Sequence, residues 1–257
     1  MRCRSPGAAR GFPHIISGNN YYGAVGTNKR FALHGSVPTV GLLCGGLSTR
    51  MGRKKELQLF RGRPLIGLIA ECLSMMGYKV YLLASTRDAQ AISNATGGKF
   101  PVLVDAFEVR TPLNGLRTLL EAVDGCAFLL GGDSPIINNQ LIDDALALCD
   151  RGFAAALPLW RGGRVDTVHA AYSSSLLELL DTRLSQEGAD LSMANFVRNI
   201  TPIAFMEAER YGLALGDADT ALELTLLEHL YNGRGCTSAR GHFSLPPSQA
   251  LAGRAGR

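Results

Sequence analysis

From residue 37 onward, short apolar runs alternate with longer segments in which apolar positions recur at helical spacing. The runs over 37–43, 79–84, 102–104, 126–130 and 153–159 predict strands. A strand that is apolar at nearly every position is one with both faces covered. Helical spacing predicts helices over 64–76, 116–123 and 139–149, and Pro64 suits a first turn. Further along, 167–172 predicts a short strand, and helices are expected over 175–184 and 221–231. Strand–helix alternation of this kind predicts an α/β fold, Rossmann-like and three-layered, with a mostly parallel central sheet. In such sheets ligands bind beyond the carboxyl ends of the strands. Two loops fall there, one beginning at Gly45 after the first strand and one around Asp133 after the run 126–130.

Composition narrows the class without changing this outline. The chain has 257 residues, 46% hydrophobic and 19% charged, which suits one large domain with a sizeable core and excludes a disordered or fibrous chain. Its longest apolar runs, such as 153–160, are far too short to cross a bilayer. The flanks lack periodicity. Residues 1–36 read as a flexible basic extension, with an organellar presequence and an over-long start both open, and 232–257 as a flexible tail. The expected domain is therefore 37–231. The six cysteines, at 3, 44, 72, 126, 149 and 236, form no CxxC pair, and no HExxH is present, so zinc and iron–sulfur sites are not indicated. Cys44, Cys72 and Cys126 lie in apolar segments and are expected as small buried thiols, as in a reducing, cytoplasmic setting.

Charge is unevenly placed. Residues 1–55 hold nine Lys or Arg and no acid, whereas the rest holds 17 basic against 22 acidic residues. Positive charge focused before and within one loop suits a phosphate-rich small ligand. A nucleic-acid-binding module would rest on the same basic segment, but no zinc finger, recognition helix or aromatic–basic interleaving supports it.

That loop runs Leu43-Cys44-Gly45-Gly46-Leu47-Ser48-Thr49-Arg50-Met51-Gly52-Arg53-Lys54-Lys55. Glycines directly after a strand let the backbone turn tightly and aim N–H groups at an anion. Ser48 and Thr49 add donors, and Arg50, Lys54 and Lys55 offset charge. It is neither a Walker A loop nor GxGxxG. A Gly-rich structural turn with solvated basic residues is the alternative. The second loop, Gly131-Gly132-Asp133-Ser134-Pro135, offers Asp133 either as a carboxylate for Mg²⁺ or as a turn and cap residue. Asp105 follows the strand 102–104, and Pro112 and Gly115 can shape a helix start. His169, alone in an apolar strand, reads as a packed or hydrogen-bonded core residue. Asp217, Asp219 or Thr220 reads as a helix cap.

Together these segments resemble the molybdenum cofactor guanylyltransferase family, which attaches GMP to the phosphate of molybdopterin. Its first-loop pattern, roughly Leu-Ala-Gly-Gly-x-Ser-x-Arg-Met-Gly-x-Asp-Lys, is matched by Gly45, Gly46, Ser48, Arg50, Met51, Gly52 and Lys55, and Gly62-Arg63-Pro64-Leu65 follows as in the family. Lys54 stands where the pattern has Asp. Residues 131–135 are similar to its Cys-Asp-x-Pro metal motif, with Gly132 for Cys. Residues 111–115 resemble its Gly-Pro-Leu-x-Gly segment, with Thr111 for the first Gly. The segment 167–172 is similar to the family's substrate side, where His169 would face the pterin, and 216–220 to its Asn-x-Asn-Thr-Pro turn.

The resemblance implies a nucleotidyltransferase fold over about 38–231, with GTP as substrate and Mg²⁺ as cofactor. Arg50, Lys55 and Asp133 would be catalytic. Leu43, Gly45, Gly46, Ser48, Thr49, Gly52, Asp105, Pro112 and Gly115 would hold the nucleotide, and Asp133 and Asp219 the metal. It further implies a molybdopterin-type phosphorylated acceptor, contact with molybdenum cofactor insertion or target enzymes, and a monomer or weak oligomer. No nucleic acid or membrane partner is expected. CMP transfer, nucleotidyl transfer to another phosphorylated acceptor, and a catalytically silent nucleotide-binding regulator are the other readings these residues leave open.

Overall fold

A computed structural model describes residues 37–45, 57, 59–60, 62–134 and 136–215. Its centre is a seven-stranded sheet built from β1 (Thr39–Leu43), β4 (Lys79–Ala84), β5 (Val102–Val104), β6 (Cys126–Gly131), β7 (Ala155–Leu159), β8 (Ala170–Ser173) and β9 (Ile203–Glu207). The strand order is β5-β4-β1-β6-β8-β7-β9. A two-stranded hairpin of β2 (Leu59–Phe60) and β3 (Arg63–Pro64) stands apart. Only β8 is reversed: it pairs antiparallel with β6 and β7, while β1, β4, β5 and β6, and likewise β7 and β9, run parallel to their neighbours. The expected mostly parallel α/β sheet is therefore present. The reversal of β8 has a consequence for the site, because it brings the β7–β8 connection to the edge where β1, β4, β5 and β6 end.

Helices cover both faces. On one side α1 (Leu65–Met75), α2 (Ala89–Ala95) and α4 (Asn139–Asp150) pack against Val40, Leu42, Val80, Leu82, Phe128 and Leu130. On the other, α3 (Pro112–Glu121), α5 (Leu177–Ser185) and α6 (Met193–Val197) bury Leu83, Leu129, Leu157 and Tyr172. This two-sided burial explains the continuous apolar strands. Helix starts carry their own signals. Thr111 accepts a hydrogen bond from the Leu113 N–H with Pro112 in the first turn, Asn138 accepts from Leu141, and Ser192 from Asn195. Among the described residues, no helix is long and apolar enough to cross a membrane.

Several expectations shift. Helix α3 begins four residues before the expected 116, at the Thr111-Pro112 cap. The strand expected over 167–172 begins only at Ala170, because the Asp166 carboxylate accepts from the amides of Val168 and His169 and holds that stretch in a turn. Helices α2 and α6 and strand β9 were not anticipated. Cys44 is a buried thiol outside any disulfide, as expected, but Cys126 is not. The start of β6 and the end of α4 bring Cys126 and Cys149 to a Cα separation of 6.1 Å, and the two form a disulfide. Cys72 is disulfide-bonded as well. The cysteines therefore give no support to a reducing compartment. The expected helix over 221–231 and both flanking extensions lie outside the described residues.

Candidate active site at the carboxyl edge of the sheet

Strands β1 and β6 end side by side, with Leu43 in register with Gly131. Backbone pairing continues past the strand ends: the Gly132 N–H donates to the Leu43 carbonyl at 3.0 Å and the Cys44 N–H to Leu83 at 2.8 Å. The chain thus leaves β1 at Gly45 next to the turn that carries Asp133. A Cβ on Gly132 would stand 2.5 Å from the Leu43 carbonyl oxygen, so a side chain here would force the two strand ends apart. Gly132, which stands where the resembled motif has Cys, permits this close approach by carrying no side chain.

Beside this junction lies a cavity of about 590 Å³ over the ends of β1, β4 and β5 and the start of α3. Leu43, Gly45, Asp105, Pro112 and Gly115, all singled out from the sequence, line it. Gly115 lets the first turn of α3 settle on β1: a Cβ there would meet the Leu43 side chain at 2.5 Å. The start of the helix, with its positive dipole end, is thereby brought to the cavity wall. Asp105 accepts from the Thr118 hydroxyl at 3.3 Å. Burial pushes its carboxyl above the ordinary range, and the Thr118 hydrogen bond offsets only part of this.

The loop from Asp105 to Thr111 is held by Asn114, which is fully buried. Its amide donates to the carbonyls of Phe107 at 2.5 Å and Val109 at 3.2 Å, and its oxygen accepts from the Phe107 N–H at 3.4 Å. Thr111 ties the same loop across to α6's approach by donating to the Leu191 carbonyl at 2.6 Å.

Sequence reasoning missed the segment after β4. Ser85, Thr86, Arg87 and Asp88 all line the cavity. Asp88 is 7% exposed, and its carboxylate lies 3.9 Å from where a Gly45 Cβ would be. The available signal was positional only: polar residues directly after a buried parallel strand, at the edge where the other loops gather. Asp133 sits half-buried in the turn after β6. Among the described residues no group of three or more His, Cys, Asp or Glu gathers to form a closed metal cage. A single carboxylate is nonetheless a fitting donor for Mg²⁺, which binds through one or two carboxylates and completes its shell with phosphates and water. Gly46, Ser48, Thr49, Arg50, Gly52, Lys55 and Asp219 lie outside the described residues.

His169 is not in the cavity wall. It is 2% exposed, with Nδ1 3.0 Å from Asp166 Oδ2 and Nε2 2.8 Å from Ser134 Oγ. Burial pushes the Asp166 carboxyl up, but the hydrogen bond and charge of His169 and two backbone amides outweigh it, leaving the group below its ordinary value.

A seven-stranded, mostly parallel sheet with Gly45 leaving β1, an acidic turn after β6 beside it and a cavity over the ends of β1, β4 and β5 defines an α/β nucleotidyltransferase. Residues 40–200 match the MobA-like NTP transferase domain, and the chain belongs to that family. Among its relatives are proteins called "Probable molybdenum cofactor guanylyltransferase" from Thermococcus gammatolerans and Pyrococcus furiosus. The first is 29% identical over 164 residues, 63% of this chain and 82% of that protein. The second is 30% identical over 164 residues, 63% of this chain and 80% of that protein. In fold the chain is similar to molybdopterin-guanine dinucleotide biosynthesis protein A from Archaeoglobus fulgidus, with a TM-score of 0.66 at 16% identity, covering 76% of this chain and all of that one. It is likewise similar to 4-diphosphocytidyl-2C-methyl-D-erythritol synthase from Anaerococcus prevotii, with a TM-score of 0.55 at 11% identity, covering 77% of this chain and 96% of that one.

Proposed function

We propose that this nucleotidyltransferase transfers GMP from GTP to the phosphate of molybdopterin or its metal-loaded form, releasing pyrophosphate. The observation that carries the reading is the register of Leu43 with Gly131, which sets the start of the Gly45 loop beside the Asp133 turn. Phosphates held at the first would lie within reach of a cation held at the second. The names of the relatives at about 30% identity support the guanylyl and molybdopterin assignments.

The cavity over β1, β4 and β5 would take the nucleoside. Guanine presents N–H donors on its Watson–Crick edge, and the Asp88 and Asp105 carboxylates supply acceptors there. Gly45 and Gly46 would turn backbone N–H groups towards the triphosphate, with Ser48 and Thr49 adding hydroxyls. Arg50 and Lys55 would balance charge growing on the transferred and leaving phosphates. Asp133, assisted by Asp219, would hold Mg²⁺, which when bound neutralises phosphate charge. The acceptor phosphate is already anionic near neutral pH, so attack at the α-phosphorus requires alignment more than a general base. The α-phosphorus–oxygen bond to the β-phosphate breaks as the new one forms, and pyrophosphate carries the electron pair away.

Asp133→Asn tests the arrangement. The variant should unfold at the parent's midpoint yet lose at least about a hundredfold in turnover, the scale expected when a transition-state charge stabiliser is removed. Parent-level turnover at limiting Mg²⁺ would refute it.

A further inference from the structure

The β7–β8 connection carries a line of polar side chains into the core beneath the Asp133 turn. Ser134 is fully buried, His169 is 2% exposed and the Asp166 side chain 16% exposed. Asp166 is itself anchored, its Oδ1 accepting from the Val168 and His169 amides at 3.0 Å each. We propose that Asp166, His169 and Ser134 form a positioning relay that fixes the Asp133 carboxylate for a divalent cation. The inference rests on the reading of Asp133 as the metal-binding carboxylate.

Three observations support it. Burying the Ser134 and His169 side chains costs free energy that apolar side chains of similar volume would not, and the turn that Asp166 holds through the Val168 and His169 amides needs neither of them. Its polarity is also directional. Nδ1–H donates to the Asp166 carboxylate, and Nε2 shares a hydrogen bond with the Ser134 hydroxyl. That bond selects one Ser134 rotamer. The third observation joins Ser134 to its neighbour. A Cβ on Gly131 would lie 2.9 Å from Asp133 Oδ1 and 3.2 Å from Ser134 Oγ, so both side chains fold into the space that Gly131 leaves open. The Ser134 N–H closes the same turn on the Gly131 carbonyl at 3.3 Å. A Ser134 hydroxyl pinned by His169 therefore limits where the Asp133 carboxylate can swing. Outer partners of this kind orient metal-binding groups in many proteins, and removing one weakens metal affinity by about 10- to 100-fold.

The test uses the full chain with saturating GTP and Mn²⁺ as the probe, binding being followed by the relaxation of water protons. Ser134→Ala should raise the Mn²⁺ dissociation constant about tenfold, and His169→Gln by a similar factor. The double variant should be no worse than the weaker single one, because both changes cut one line. Ser134→Thr, which keeps the hydroxyl, should bind as the parent does. At saturating Mn²⁺ the KM for GTP should be unchanged, a split that general loosening of the fold would not give. Asp133→Asn serves as the reference. Parent affinity in Ser134→Ala beside a weakened Asp133→Asn overturns the relay and leaves Asp133 in place. Parent affinity in both overturns the relay and the metal reading together. Should His169→Gln lose its cooperative unfolding transition, Ser134→Ala alone decides.

Discussion

Asn114 holds the loop that walls one side of the cavity, and its removal has a magnitude that can be worked out. The residue is fully buried on the first turn of α3, and its amide group satisfies three backbone groups of the 105–111 loop. Truncation to Ala strands them unequally. The Val109 carbonyl belongs to an exposed residue and can recover a bond to water. Phe107 is half-buried, so its N–H and carbonyl are the groups left short. Each unsatisfied buried backbone group costs about 1–3 kcal/mol, and partial exposure puts these two towards the low end. The expected loss is therefore about 2–3 kcal/mol for Asn114→Ala. At about 2–4 °C per kcal/mol for a domain of this size, the melting point should fall by about 5–10 °C. In urea the midpoint should drop while the slope m stays constant, since the same surface is exposed on unfolding. Asn114→Asp should be worse despite its matching shape. It removes both N–H donors and sets one carboxylate oxygen against the Phe107 and Val109 carbonyls. Both variants should also weaken GTP binding, because the loop lines the cavity. Stability within about 0.5 kcal/mol of the parent for Asn114→Ala, the range of an ordinary surface substitution, would refute the assignment.

Asp105 should carry a stability cost. Its carboxyl is raised in the fold above the ordinary 3.8, chiefly by burial. The favourable contribution of its protonated form is thus full below the unfolded value and is lost as pH rises through the folded one. Asp105→Asn should accordingly be more stable than the parent at neutral pH, with the gain vanishing below about pH 3.8 in urea melts; a gain equal at both pH values would contradict this. Gly132→Ala should cost about 1–3 kcal/mol, because its Cβ would press on the Leu43 carbonyl oxygen at 2.5 Å. A melting point equal to the parent's would show that β1 and β6 part freely at that end.

Much of the sheet was legible because parallel strands buried on both faces leave unbroken apolar runs. The run 79–84 coincides with the interior strand β4 residue for residue, and 102–104 with β5, whose edge position leaves it only partly buried. The late placement of α3 was avoidable, since Thr111-Pro112 carries a cap and a first-turn proline. The antiparallel course of β8 was not readable, because Ala170, Ala171 and Tyr172 are buried and show no alternation. Helix α2 hid for a different reason: it is seven residues long and buries only Ile92. At the site, Gly45 and Asp133 stood out as special residues directly after strands. Ser85 to Asp88 did not, since a polar stretch after a strand is what any surface loop looks like. The contact of His169 with Ser134 spans 35 residues and exists only because β8 folds back antiparallel onto β6.

The measurement closest to the central claim is Mg²⁺-dependent pyrophosphate release by the full chain given molybdopterin and each of GTP, CTP, ATP and UTP in turn. The pterin product is weighed by mass spectrometry. The account predicts pyrophosphate and a GMP adduct with GTP alone. A CMP adduct would contradict the guanine assignment while leaving the transferase intact. Nucleotide binding without any adduct would contradict molybdopterin as the acceptor.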